Sequence, residues 1–441
     1  MKKSELQIPI ERYPKYKDSG VDWIGDIPVG WDVLPGLRFL KENKDKNTGF
    51  KRNTVLSLSY GNIRIKQEEE LTGLVPESFE TYQLVNKGDI IFRPTDLQND
   101  KVSLRSSISE YAGIITSAYL NLRIKRNAHC KFIHYFFRAI DNNKVIYGLG
   151  SGLRQNIDFR DFRRFQFSIP PLPEQTAIAE FLDEKCGKID RAVAKKEKLI
   201  ELLKERKQIV IQNAVTRGLD HDAEMKNSGV DWIGEIPAHW EVSKLKFITS
   251  FILDGTHGSF SRVDKGYRLL SVRNIINGKF VFRNDDSKVS RKHFKEISSK
   301  FLIKENDIQL AIVGATLGKT AITPSLPEEI VTQRSICTIR TTTTYCLNTY
   351  VCNYMQSQKF QSYLWNNAGF SAQPGVYLGT IQNSHIPLPP LPEQTAIVAH
   401  IEAEFARLDK AVAVQERLIH KLKEYKSTLI NSAVTGKIKV C

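Results

Sequence analysis

Two stretches of the chain carry apolar residues at spacings that fit a seven-residue repeat. The first runs through Leu182, Cys186, Ile189, Val193, Ile200, Leu203, Val210 and Ala214. The second has Ile401, Phe405, Leu408, Val412, Ile419, Leu422, Leu429 and Ala433, each 219 residues later. Steps of four and three lay one apolar stripe along an α-helix, the pattern of helices packed side by side. No proline breaks either run, so each helix can extend over about 40 residues, roughly 60 Å. Pro173 and Pro392 suit a first helical turn, and Glu174 and Glu393 favour its positive end. Helices of that length outrun one small domain, so the stripes are expected to pack on each other as a coiled coil.

The helices belong to a larger duplication. "DSGVDWIGDIPVGWDV" at 18–33 returns as "NSGVDWIGEIPAHWEV" at 227–242, an offset of 209, and "PPLPEQTAI" at 170 returns at 389, an offset of 219. The chain is two tandem units, the second with ten more residues in its middle. The first helix ends ten residues ("GLDHDAEMKN") before the second "SGVDWIG", so its far end is expected beside the second unit. Packed stripes must then be antiparallel, with one globular domain at each end and pseudo-twofold symmetry.

Residues 18–169 and 227–388 read as mixed α/β. Short runs such as "DIIFR", "AGIITSAYLNLRI", "DIQLAIVG" and "SICTIRT" predict strands, and "CKFIHYFFRAI" and "NTYVCNYMQSQKFQSYLW" predict helix. These interiors have diverged almost completely, with faint correspondence at "GDI" (88–90) against "NDI" (306–308) and at "GNI" (61–63) against "RNI" (273–275).

Charge and cysteines narrow the function classes. The chain has 64 Lys+Arg against 49 Asp+Glu, a net +15, which points to a polyanionic partner, with nucleic acid favoured over a membrane surface because no basic amphipathic segment stands out. No run is long and apolar enough to span a bilayer, and the first residues lack a signal peptide's apolar core, so a cytoplasmic protein is expected. The six cysteines form no C-x-x-C pair, which points to reduced packing residues rather than a zinc site or a disulfide framework.

No enzyme motif completes itself. "GATLGKT" at 314–320 is one residue short of a phosphate-binding loop, with Val313 where glycine is required. "PTDLQNDK" at 94–101 has the wrong spacing for a nuclease carboxylate cluster, and the methyltransferase tetrapeptide N-P-P-Y is absent. The expected role is that of a reader, with no metal or catalytic group and no cofactor bound by this chain.

The "YPKYKDSGVDWIGDIPVGW" frame, the paired "PPLPEQTAI" segments and the two long helices resemble the specificity subunit of a Type I restriction-modification system. The order of these words (frame, variable domain, "PLPEQ", helix, then all of it again) carries the resemblance over nearly the whole chain. It implies target recognition domains at 1–169 and 218–388 and scaffold helix regions at 170–217 and 389–441. It also implies that each recognition domain reads one half of a split site in double-stranded DNA, while the helices dock two methyltransferase subunits. Those partners would use S-adenosylmethionine, and restriction/translocase subunits would use ATP and Mg. On this reading Arg154, Gln155 and Asn156, followed by Arg160, Arg163 and Arg164, are candidate DNA contacts in the first domain, with Arg93 and Arg105 near strand ends. Gln373, Arg273, Asn274 and Lys319 are the candidates in the second. A coiled-coil adaptor with two protein-binding end domains is the alternative.

Overall fold

The computed structural model describes residues 11–59, 61–70, 78–95, 97, 104–149, 156–370 and 373–440. In it the repeated frame folds the same way twice. Tyr16–Asp18 pairs antiparallel with Asp26–Pro28, and Met225–Asn227 with Glu235–Pro237. Asp18 accepts the Gly20 amide at 2.9 Å, and Asn227 the Gly229 amide at 2.8 Å. Either short side chain closes this turn, which is why the two copies can differ there. Gly20 and Gly229 lie at φ +68 and +74, a region that glycine enters without a steric cost.

Each variable interior is closed off by a strand pair. Asp32–Pro35 pairs with Gln166–Ile169, and Glu241–Lys244 with His385–Leu388. The interior thus leaves and rejoins its frame at one place, immediately ahead of a long helix.

The "PPLPEQTAI" segment makes the junction. Gln175 and Gln394 are buried. Gln175 accepts the His129 amide at 2.8 Å and donates to Pro170 O at 2.8 Å; Gln394 accepts the Leu347 amide and donates to Pro389 O at the same distances. In each domain the glutamine ties the start of an interior helix to the start of the long helix, using backbone groups that would otherwise be unpaired at both places. Glu174 accepts from the Tyr13 hydroxyl, and Glu393 from Trp240 Nε1 at 3.0 Å, so the neighbouring position holds the frame.

The interiors share a sheet order despite their sequences. The first has the order Leu40–Asn43, Leu120–Ile124, Ile90–Phe92, Ser106–Ile108; the second has Thr249–Asp254, Ile336–Thr341, Ile308–Ala311, Thr320–Ile322, then Lys279–Phe280 and Ile275–Ile276. Arg123 lies 3.4 Å from Asp89, and Arg340 lies 2.7 Å from Asp307, so the acid of "GDI" and of "NDI" occupies one structural position. A strand requires alternation and bulk that many residues supply, and the backbone can therefore persist where side-chain identity does not.

Cys130–Asn142 is one helix, whereas "NTYVCNYMQSQKFQSYLW" folds as two, Asn348–Met355 and Gln358–Asn366. Ser357 separates them by accepting the Phe360 amide; a capping serine begins a new helix instead of continuing the old one. The five cysteines among the described residues are free, and four are buried. Burial pushes the Cys186 thiol up to about 11 and that of Cys352 up to about 12, as expected of unreactive packing groups.

The long helices are Leu172–Arg217, of 46 residues, and Leu391–Val434, of 44. Compactness divides the chain into a unit ending at Glu197 and resuming at Glu416, and a unit of Lys198–Gln415. Each unit thus owns one globular domain and a half of each long helix, a division unlike the sequence boundaries at 169, 217 and 388. Within the first unit Lys426 reaches Asp190 at 2.7 Å and Lys423 reaches Glu197 at 3.5 Å; one number falls as the other rises, so the helix halves are antiparallel. Within the second, Lys207 pairs with Asp409. The two lysine–aspartate pairs are one pair repeated at the offset of 219. Along the stripes Leu182, Ile189, Val193, Val210, Ile401, Leu408, Ile419 and Leu429 are buried, while Ile200, Leu203, Val412 and Leu422 are half-buried. Among the described residues, no helix is long and apolar enough to cross a membrane.

Candidate nucleic-acid interface

The arginine and asparagine candidates separate by what holds them. In the first domain Arg105 is fully buried, and its guanidinium donates to Thr95 O at 2.7 Å and Arg93 O at 3.4 Å. A side chain turned into the interior cannot reach a base edge, so Arg105 is a structural residue. Its backbone amide donates to Asp141, whose carboxyl burial holds above the usual range. Arg93 is half-buried at the end of Ile90–Phe92. Arg154 and Gln155 lie outside the described residues. Asn156 is exposed. Arg160 is exposed too but pairs at 2.5 Å with Asp158, the N-cap of Phe159–Arg164, while Arg163 and Arg164 face solvent at that helix's end.

In the second domain Asn274 is also a structural residue. It is fully buried and donates to Asp286 at 2.8 Å and to Val281 O at 2.9 Å. Its neighbour Arg273 is drawn to Asp285 at 3.3 Å and Asp286 at 3.4 Å. A carboxylate placed under a guanidinium in this way keeps it for the fold.

Lys319 and Gln373 sit on two linked segments instead. Both are exposed, and the turn carrying Lys319 is tied to the Gln373 segment by the Gly314 amide, which donates to Pro374 O at 2.8 Å. The turn joins two antiparallel strands, Ile308–Ala311 and Thr320–Ile322. A phosphate-binding loop would lead into a helix with its amides open. Here the amides of Leu317, Gly318 and Lys319 donate to Gly314 O, Ala311 O and Thr316 O, so "GATLGKT" is a hairpin in which these donors are spent.

Beside this hairpin lies a cleft of about 790 Å³, whose walls include Asp254, His257, Arg334, Gln373 and Tyr377. Asp254 and His257 face each other at 2.5 Å. Tyr377 is 80% exposed, an aromatic surface left to solvent. Arg334 is exposed and stands in the turn between Ile330–Thr332 and Ile336–Thr341. Guanidinium, carboxamide, phenol and imidazole together offer donors, acceptors and a stacking face, the mixture that base edges require.

Residues 36–204 and 256–424 match the family described as the Type I restriction modification DNA specificity domain. The chain belongs to this family. The putative type I restriction enzyme MjaX specificity subunit of Methanocaldococcus jannaschii is 24% identical over 439 residues, spanning 95% of this chain and 96% of that one. The EcoKI specificity subunit of Escherichia coli strain K12 is 22% identical, spanning 94% and 90%. Two solved structures share the fold at 14% identity. One comes from work on complex assembly and conformational transition of the type I R-M system, with a TM-score of 0.69 over 92% of this chain and 98% of that one. The other is the HsdS subunit of Thermoanaerobacter tengcongensis, with a TM-score of 0.52 over 93% and 98%.

The chain is therefore a Type I restriction-modification specificity subunit with two target recognition domains. Arg334, His257 and Tyr377 of its second domain escaped the sequence reading. One signal was present for Arg334: "VTQRSIC" has no acidic residue, whereas Arg283 in "RNDD" has two close by.

Proposed function

We propose that this specificity subunit binds double-stranded DNA at a split site, one half to each recognition domain, and makes or breaks no covalent bond itself. The observation that carries this reading is a common sheet and a common glutamine clamp supporting different exposed side chains, as two readers of unlike half-sites require. The net charge of +15 suits neutralisation of phosphates, and the spent amides of the "GATLGKT" hairpin suit a chain that leaves nucleotide chemistry to others. On this proposal the paired long helices dock two methyltransferase subunits, which bind S-adenosylmethionine and take adenine out of the stack to methylate it. Restriction/translocase subunits supply the steps that use ATP and Mg.

The test is genome-wide adenine methylation in cells with and without this gene. The expected result is loss of methylation at one motif of two short half-sites around a fixed gap. Unchanged methylation, together with DNA affinity that stays flat between about 50 and about 200 mM salt, would overturn the proposal in favour of a protein-binding adaptor.

A further inference from the structure

We propose that Arg334 reads a guanine in the half-site bound by the second recognition domain; this rests on the DNA-reading function proposed above. The position is defined by the frame. Arg123 and Arg340 occupy the same place in their sheets, each facing the aspartate of the neighbouring strand. Six residues before them stand Ser117 and Arg334, both exposed, in the turn that leads into the same strand. Ser117 donates to Thr81 O at 2.8 Å. The second domain puts a guanidinium there instead.

The turn beneath Arg334 is tightly held. The Gln333 amide donates to Leu270 O and the Arg334 amide to Thr256 O, both at 2.9 Å, while Ser335 O accepts the Ile312 amide at 3.0 Å. Backbone fixed at three successive residues gives a long side chain a defined origin, as a group that must meet a base edge needs. Four other arginines of this domain are held by carboxylates: Arg268 by Glu328 and Asp286, Arg273 and Arg283 by Asp285, and Arg340 by Asp307. Among the described residues Arg334 has no ion-pair or hydrogen-bonding partner for its guanidinium, and the one carboxylate along this cleft, Asp254, is turned to His257. A planar fork on a rigid turn, unneutralised and beside a carboxamide and an exposed phenol, matches the paired O6 and N7 acceptors of guanine.

The experiment sequences adenine methylation in cells carrying the chain with its partner subunits, as wild type, Arg334→Ala and Arg334→Lys. The expected result is a motif relaxed at a single G·C pair of one half-site, by about 10- to 100-fold in discrimination, with the other half-site unchanged. Lysine keeps the charge without the fork, so Arg334→Lys should relax the same position while assembling normally. Methylation by both variants that keeps the wild-type motif would overturn the inference. So would uniform weakening across sequences with a shallower salt dependence, which would make Arg334 a phosphate contact. Absence of any split motif in the wild type would sink the proposed function, and this inference with it.

Discussion

The two recognition domains agree where they are buried and differ where they meet solvent. Cys130–Asn142 and Asn348–Met355 start from equivalent glutamine clamps, and at an offset of 218 residues Phe132 corresponds to Tyr350 and Phe136 to Tyr354, all four buried. The exposed turn before each Leu120–Ile124 or Ile336–Thr341 strand carries serine in one domain and arginine in the other. Buried positions answer to packing and to the pairing of polar groups, and only a few residue types satisfy both. Exposed positions on a rigid turn answer to neither, so they can vary without moving the scaffold.

The largest difference should come from the seam. Leu182 and Ile401 are equivalent and both buried, so Leu182→Asp and Ile401→Asp each place an unpaired charge in apolar surroundings and should prevent stable folding of their own unit. Leu203→Asp and Leu422→Asp sit where the stripe is half-buried and should be milder. Circular dichroism and co-purification with methyltransferase subunits would show either order, and equal damage at all four sites would refute this difference in burial along the stripes.

Next in size is the sheet ion pair. Arg340 holds Asp307 through two contacts of 2.7 Å, whereas Arg123 is 3.4 Å from Asp89, whose carboxyl burial raises. Arg340→Ala should cost the second sheet about 3 kcal/mol by leaving a buried carboxylate alone, and Arg123→Ala should cost the first sheet less. Hydrogen exchange at Ile308–Ala311 and Ile90–Phe92 reads the two sheets separately, and a larger loss in the first would contradict this comparison.

Acid should separate the units as well. His134 is driven down to about 3 by burial and by the neighbouring Arg138, while the equivalent residue of the second domain is Cys352, which gains no charge. A histidine whose folded value is lowered contributes stability above its unfolded value near 6.5 and loses it as pH falls towards the folded value. At pH 5 the first unit should thus lose about 2 kcal/mol from this residue. His385 shifts in the same direction in the second unit, so the second unit should respond too. Protection factors at pH 7 and pH 5 for wild type and His134→Gln test this; the variant should remove most of the difference between units, and an unchanged difference would exclude His134 as its source.

The smallest effect is expected at the repeated surface pair. Lys426→Ala removes an ion pair whose aspartate is 60% exposed and should change stability by under about 1 kcal/mol. A larger loss would mean that the pair contributes more to the helix contact than its exposure allows.

Legibility followed the range of the interactions involved. The helix stripes and the acids of the first helical turns depend on residues a few positions apart, and a linear reading finds them. Arg105 and Asn274 looked like surface candidates because nothing local shows that their partners, Thr95 O and Asp286, lie 10 and 12 residues away on folded-back chain. Arg334 was overlooked for the converse reason: it acquires its neighbours Gln373 and Tyr377 only when segments some 40 residues apart close around one cleft.

By itself the sequence determined the duplication, the two long helices and the frame in which each domain sits, because periodicity and tandem repetition are properties of order along the chain. Tertiary structure decided that two divergent interiors build sheets of the same strand order, that a near-match to a phosphate loop is a closed hairpin, and which arginines are left for a ligand. Those outcomes depend on which distant carbonyl or carboxylate each donor meets, and the chain settles that only by folding.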